Sequence, residues 1–321
     1  MSVLVRRPGL FTTVQDSGRW GHQQFGMPVA GAMDAFSYRL GNCLVGNEPP
    51  LASLEITLAG PELDFQEECV CAITGADFEV HVDGIEIALN RRFVVRSGQH
   101  LKFGRLRLGA RAYLAISGGF DVPLVLGSRA THVASGIGGV NGRKLRPGDL
   151  LELGRTLDSL LPRMESVIPR VKLPQGGSKV RVIAGPHSKV FDPVGAKSFG
   201  QSRYRITGDS DRMGYRLAGD RIFALDTETV ISTPVPIGSV QIPPDGLPIV
   251  LMADHQTTGG YPRIATVIAA DLPVLAQLKV SDWIDFEICE RSEAIAELVA
   301  QERALMVVGD RERVSMDARR D

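Results

Sequence analysis

Residues 238–277 read GSVQIPPDGLPIVLMADHQTTGGYPRIATVIAADLPVLAQ. The apolar run 249–253 is short enough to be a buried strand, and a second run, 264–270, follows it. Between them lie Asp254, His255, Gln256, Thr257 and Thr258, then Gly259 and Gly260 as a turn, then Tyr261 and Pro262. Two core strands thus carry a dense set of hydrogen-bonding groups to one rim, where binding chemistry commonly sits. The plainer alternative is a polar hairpin turn facing water.

Outward from this stretch, the chain has 321 residues, 44% hydrophobic and 23% charged, with a formal net charge of -1. That length predicts two domains with a sizeable core. The near-zero charge argues against a nucleic-acid binder. No apolar run approaches the ~20 residues that span a bilayer, and MSVLVRRPGLF is too weakly apolar for a secretory signal. The expectation is a cytoplasmic protein that binds neither nucleic acid nor membrane. Cys69 and Cys71 lie two apart in CVCAIT, on one face of a strand, and no second pair accompanies them. With Cys43 and Cys289 they read as free thiols, and no metal site is expected.

The expected fold class is mainly β: two β-barrel domains with a few short helices and a C-terminal helix. Residues 60–155 hold candidate strands CVCAIT, FEVHV, FVVRS, YLAIS and DLLEL between Gly- and Pro-rich turns. Residues 156–179 read as a linker and 180–290 as a second β block. GPELDF (60–65) is echoed by GPHSKVF (185–191), and RPGDLLEL (146–153) by KVSDWIDF (279–286), as in a duplication. Residues 1–59 are then an extra segment that packs on a barrel, the second being the candidate. Within it Asp34 caps a helix from about 35 to 45 with Phe36, Leu40, Cys43 and Leu44 as its apolar stripe. Strand LASLEITLAG puts Leu54, Ile56 and Leu58 on one side. After Ser292, residues 293–307 form a terminal helix, and RERVSMDARRD frays.

No GxSxG, HExxH, GxGxxG, Walker or AMKM-type biotin-attachment motif is present. The glycine-rich run ASGIGGVNGR (134–143) lacks the phosphate-loop pattern and reads equally as a binding loop or a connector. What remains are polar clusters: VQDSGRWG (14–21), PVAGAMD (28–34), SDRMGYRL (210–217), SVQIPPDG (239–246) and DHQTTGGYP (254–262). Their amides, hydroxyls, carboxylates and guanidinium forks suit a small planar amide, ureide or lactam bearing a carboxylate. Asp16, Asp254 and His255 are the candidate catalytic groups. Gln15, Arg19, Arg212, Tyr215, Gln241, Gln256, Thr257, Thr258 and Tyr261 are the candidate substrate contacts. Structural alternatives stand beside these: an Asx-turn at Asp16, an ion pair of Arg212 with Asp209 or Asp211, a solvated His255, and a tight turn at 243–246. The clusters 14–21 and 254–262 are expected to meet, burying Phe11, Val14 and Trp20 while Gln15, Asp16 and Arg19 face a groove.

GLFTTVQDSGRWG, GMPVAGAMDAFSYRLGN, ITGADF, RAYLAISGG, SDRMGYRL, VQIPPDGLPIVLMAD and QTTGGYPRIATV resemble the biotin-dependent carboxyltransferase / allophanate hydrolase subunit 2 family, from about residue 3 to 290. That family includes the KipA proteins, which are the C subunits of bacterial 5-oxoprolinase, and one half of the carboxyltransferase domain of urea carboxylase. The resemblance implies two cyclophilin-like barrels. It also implies two partners, the KipI-like B subunit of 5-oxoprolinase and its A subunit. Together these would open 5-oxoproline in an ATP-dependent reaction, with ATP used through the complex. A carboxyl transfer from biotin on a partner to urea or a urea-like amide is the alternative, and a non-catalytic regulatory partner of a KipI-like protein the second. Two places depart from the family pattern: Ser232-Thr233-Pro234 stands where Ser-Glu-Gly is usual, and His255 where Arg is usual.

Overall fold

The computed structural model describes residues 2–48, 50–155, 169–191, 193–225 and 230–317. The chain divides into two compact units. One comprises Met1–Arg19, Asp34–Leu173 and Glu302–Asp321, the other Trp20–Met33 and Pro174–Gln301.

The first unit is a nine-stranded sheet that curls into a half-barrel. Its strands are β1 (Ser2–Arg7), β2 (Phe11–Gln15), β3 (Ser53–Thr57), β4 (Glu62–Phe65), β5 (Cys69–Val82), β6 (Ile85–Glu86), β7 (Arg92–Val95), β8 (His100–Ile116) and β9 (Leu150–Glu152). The spine is β8, which pairs with β5 on one side and with β4 and β3 on the other. CVCAIT and FEVHV are one continuous strand, not two. Gly75 adopts φ +89, and the pairing with β8 slips at Gly75, Asp77 and Phe78, so the strand bends without ending. Val3, Val5, Leu54, Ile56, Phe65, Phe78 and Leu114 meet in its core. Cys69 and Cys71 lie there too as free thiols, and burial pushes the Cys71 thiol well above its ordinary range.

Residues 1–59 are therefore not an appendage. β1 pairs with β4 and β9, and Phe11–Gln15 pair residue by residue with Thr57–Ser53, so β1, β2 and β3 are built into the first sheet. Only Trp20–Met33 belongs to the second unit. Backbone donors in an alternating strand need a ladder partner, and β3 supplies one for β2. Helix α1 (Ala35–Leu44) covers this unit as expected: Asp34 accepts from Ser37 N at 2.8 Å and Ser37 Oγ at 2.6 Å. Phe36, Leu40 and Leu44 pack with Leu305 and Val308.

The second unit is a closed barrel in the order β10-β17-β14-β15-β12-β11-β18. Its elements are β10 (Gly177–Ala184), α2 (Pro193–Gln201), β11 (Arg203–Ile206), β12 (Gly214–Ala218), β13 (Thr233–Pro234), β14 (Ser239–Gln241), β15 (Ile249–Leu251), β16 (Thr258–Gly259), β17 (Arg263–Val267), α3 (Leu272–Ala276) and β18 (Trp283–Ile288). The one parallel contact, β10 with β18, closes it. The two apolar runs of the opening stretch become β15 and β17, and both flank β14 without pairing each other. Gly259 is not a turn residue: Thr258–Gly259 pairs with Thr233–Pro234 as a separate ribbon beside the barrel. The echo between the two units holds for KVSDWIDF, which contributes β18 as RPGDLLEL contributes β9. It fails for GPHSKVF, whose Ser188–Val190 is a 3-10 turn where GPELDF is a strand.

Helix α4 (Arg291–Asp317) takes in Ser292 rather than starting after it and continues through residues expected to fray. Arg181 reaches its Glu297 at 3.3 Å, and Arg39 grips its Glu302 at 2.6 and 2.7 Å. The expected linker falls mostly on 156–168, outside the described residues. No helix among the described residues is long and apolar enough to cross a membrane.

Candidate functional site

The N-terminal cluster does not build an open site. Asp16 Oδ1 accepts from Gly18 N at 2.8 Å and Ser128 Oγ at 2.7 Å, while Oδ2 accepts from Arg129 N. This is the Asx-turn alternative, extended into a clamp on the 128–130 loop. Arg19, expected to face a groove, is fully buried, and its Nη2 donates to Ala130 O. Gln15 is buried, with Nε2 donating to Thr13 Oγ1 and Thr131 O at 3.1 Å each. Trp20, expected to be covered, is 67% exposed. Gln15, Asp16 and Arg19 thus lie buried inside the first unit, held in part by the backbone of residues 129–131.

The glycine-rich run 134–143 packs on that same set. A Cβ on Gly138 would lie 2.0 Å from Ala130 O, on Gly139 2.0 Å from Thr131 Oγ1, and on Gly142 1.9 Å from the Gly136 carbonyl carbon. These glycines admit the chain's own atoms, backbone at Gly138 and Gly142 and the Thr131 hydroxyl at Gly139. Gly142→Ala also meets a φ of +65. We expect it to lower the unfolding free energy by on the order of 1–3 kcal/mol in urea titrations with unchanged slope. A loss under about 0.5 kcal/mol would show that the loop yields freely.

The second unit assembles the rest. Asp254 and Arg212 form a buried ion pair, Nε to Oδ2 at 2.9 Å and Nη2 to Oδ1 at 3.0 Å. Arg212 Nη2 also donates to Gly31 O at 2.6 Å, tying the 20–33 segment to the barrel. The ion pair that the sequence offered to Asp209 or Asp211 is made here by Arg212 with Asp254. Asp211 instead accepts from Met213 N at 2.8 Å. Asp254 has both oxygens on Arg212. Tyr215 is likewise a core residue, 3% exposed, with its hydroxyl donating to Leu278 O at 3.3 Å. Pro243 O accepts from Gly246 N at 2.9 Å, which makes 243–246 the tight turn of the plainer reading.

Around the ribbon β13–β16 the polar groups do gather. Gln256 Nε2 donates to Gln241 Oε1 at 3.3 Å. Gln241 is 2% exposed, and its Nε2 has no acceptor among the described residues. A Cβ on Gly259 would sit 2.5 Å from that nitrogen, so only glycine lets the ribbon lie against the amide. His255 Nδ1 lies 2.6 Å from Gln256 O. A carbonyl only accepts, so Nδ1 carries the proton and Nε2 of the neutral ring holds a lone pair. Burial pushes the His255 pKa below its ordinary value, against the smaller opposing pulls of the Gln256 carbonyl and Asp254. Thr257 is half-buried, and Thr258 and Tyr261 are exposed on the rim.

Two residues passed over in the sequence belong here. Arg263 is the cross-strand partner of Gln241, where the β14–β17 register slips, and its guanidinium reaches Thr233 Oγ1 at 3.0 Å and Pro234 O at 3.1 Å. His187 Nδ1 accepts from Arg263 N at 3.2 Å, and burial followed by the Arg263 charge lowers its pKa. The signal for Arg263 was present: no acidic residue stands between Asp254 and Asp271 to neutralise it locally. Among the described residues no group of three or more His, Cys, Asp or Glu is placed to hold a metal ion.

Residues 25–288 match the family model for the carboxyltransferase domain, subdomain A and B. The chain is 40% identical over 297 residues to the C subunit of 5-oxoprolinase from Escherichia coli K12, covering 92% of this chain and 94% of that protein. It is 38% identical over 282 residues to the corresponding C subunit from Haemophilus influenzae, covering 88% and 89%. Among solved structures, the K. lactis urea amidolyase superposes with a TM-score of 0.89 at 32% identity, covering 96% of this chain and 20% of that much longer one.

Proposed function

The chain belongs to the carboxyltransferase subdomain A and B family, and from that premise we propose that it is the C subunit in an ATP-dependent 5-oxoprolinase. In this reading it converts 5-oxo-L-proline, with ATP and water, to L-glutamate together with the A subunit and the KipI-like B subunit of that enzyme. The observation that carries the reading is the amide-rich rim of the second unit. There Gln241 presents a buried donor without an acceptor and accepts from Gln256, whose own carbonyl holds the Nδ1–H of the adjacent His255. Near end-to-end similarity to two proteins named as 5-oxoprolinase C subunits supports it.

Residue roles follow from donor and acceptor chemistry. The Gln241 amide N–H donates to the lactam carbonyl oxygen as negative charge develops on it. Gln256 holds Gln241 in place by its hydrogen bond, and Tyr261 and Thr258 border the exposed side. His255 Nε2 accepts the proton of the attacking water, its Nδ1–H fixed on the Gln256 carbonyl, and passes that proton to the ring nitrogen of the lactam as the ring C–N bond breaks. ATP supplies the driving force for opening the ring. In this reading the partner subunits bind ATP, since the chain carries no Walker motif. The purified chain alone is expected to release no glutamate from 5-oxo-L-proline and ATP, and reconstitution with both partner subunits to restore it. Turnover by the chain alone would overturn the shared site.

The likeness to urea amidolyase carries a second reading. Carboxybiotin on a partner would supply a carboxyl group to urea or a related amide, with Gln241 Nε2 on a ureido carbonyl and His255 Nε2 taking the acceptor nitrogen's proton. Transfer of a labelled carboxyl group to urea by the chain from a partner already carrying carboxybiotin, with biotin released, and no glutamate from 5-oxo-L-proline in the reconstituted complex, would select it.

A further inference from the structure

We propose that Arg263 is an anion receptor at the barrel rim that binds the carboxylate of a small planar amide acid, with the Gln241 amide as the neighbouring donor. The inference rests on reading the rim as the substrate site.

Arg263 makes its side-chain bonds only to neutral oxygens, Thr233 Oγ1 and Pro234 O. These use one N–H on each terminal nitrogen. Of the five donors of a guanidinium, Nε–H and one N–H on each terminal nitrogen remain. No carboxylate of the described residues pairs with it, whereas Arg39, Arg181, Arg203 and Arg212 each meet one. Burial alone lowers its affinity for the proton, with no acidic neighbour acting against that. His187 accepts from the Arg263 backbone N–H with its ring nitrogen and is held toward the neutral form, so it supplies no counter-charge. A half-buried cation in this state gains from an anionic ligand, because the charge is already partly stripped of water.

The Gln241 side chain adds a second, independent sign. It stands opposite Arg263 across the β14–β17 slip, more than nine-tenths buried, with Nε2 lacking an acceptor. Both side chains reach the same step of the ribbon: Arg263 bonds Thr233, and the Gln241 amide lies against Gly259, the residue paired with Thr233. Two donors, one charged, thus reach the same cross-strand step of the ribbon, and no ion pair with Arg263 is made there by the described residues. A carboxylate with a carbonyl nearby satisfies both, and a neutral lactam satisfies only one.

The test uses the full-length chain, labelled with nitrogen-15, at fixed ionic strength. The Arg263 Nε–H signal is identified by its absence in Arg263→Lys. Formate and 5-oxo-L-proline are expected to shift it, and 2-pyrrolidone, the same lactam without the carboxylate, to leave it unmoved. Arg263→Met should weaken 5-oxo-L-proline binding roughly ten- to a hundredfold. It should leave 2-pyrrolidone binding and the melting temperature unchanged. An Arg263 signal indifferent to every carboxylate, or an Arg263→Met variant that binds 5-oxo-L-proline as well as wild type, overturns the inference. If formate shifts the signal while 5-oxo-L-proline binds no better than 2-pyrrolidone, the receptor stands and the 5-oxoproline reading fails.

Discussion

Arg212→Met is expected to lower the unfolding free energy by about 3–5 kcal/mol, the range for breaking one side of a buried ion pair. Arg212 is 8% exposed and Asp254 5%, so neither charge has water to fall back on. Removing the guanidinium leaves the Asp254 carboxylate uncompensated and takes the donor from Gly31 O. At roughly 2–4 °C per kcal/mol the melting point should fall by about 6–20 °C. Arg212→Met with Asp254→Leu should recover much of the loss, since two well-packed apolar groups replace two buried charges. Urea unfolding of the four members of this double-mutant cycle measures the coupling. A loss below about 1 kcal/mol for Arg212→Met would mean that the pair is not what anchors residues 20–33. A stable Asp254→Asn variant without activity would assign Asp254 a catalytic role.

His255→Ala, in the reconstituted complex, is expected to lower turnover by about 10²–10⁴-fold, the usual contribution of a positioned general base. Its melting temperature should stay close to wild type, because the ring makes one side-chain hydrogen bond, to an adjacent residue. The pH dependence has a definite sign. Burial lowers the folded pKa below the ordinary 6.5. Activity should therefore be flat from neutral pH upward and fall on acidification below 6.5, as Nε2 takes a proton. Stability follows in the same direction. The unfolded chain binds that proton more readily, so this contribution is present above the unfolded pKa and is lost as pH falls toward the folded one. His255→Ala should lose the acid limb of the activity profile. An unchanged limb in that variant would assign the base to another group.

Much of the fold was legible where its cause is local. The Asp34 cap, the Leu54/Ile56 face of β3 and the buried Cys69/Cys71 face of β5 each depend on residues within a few positions. The errors lie where distant backbone decides. Gly75 reads as punctuation, yet in the ladder with β8 it bends a strand that continues. Residues 1–19 and 20–33 look like one segment, because nothing local shows that β2 pairs with β3 while Gly31 answers to Arg212. The site divides in the same way. The amide pair Gln241–Gln256 was visible as amide-rich composition near a rim. The Arg212–Asp254 pair was not, since 42 positions separate its partners and each alone looks like a site residue. Arg263 was hidden by its place at the head of an apolar run, where it reads as the start of a strand.

The interleaving of the chain bears on how the protein is made. Phe36 and Leu40 leave the ribosome early, but Leu305 and Val308, which bury them, are made after the whole second unit. At about 5–20 residues per second, some 13–54 s separate the two sets. Throughout that interval the apolar stripe of α1 has Ala72 and Ala115 of the sheet against it but lacks Leu305 and Val308, while Met33 waits for the barrel core it joins. Domain-by-domain completion behind the ribosome is closed to this chain, and a stalled or prematurely ended product carries a sticky, half-covered sheet. Splitting the gene between the units cannot yield two intact halves, because each unit takes chain from both sides of the other.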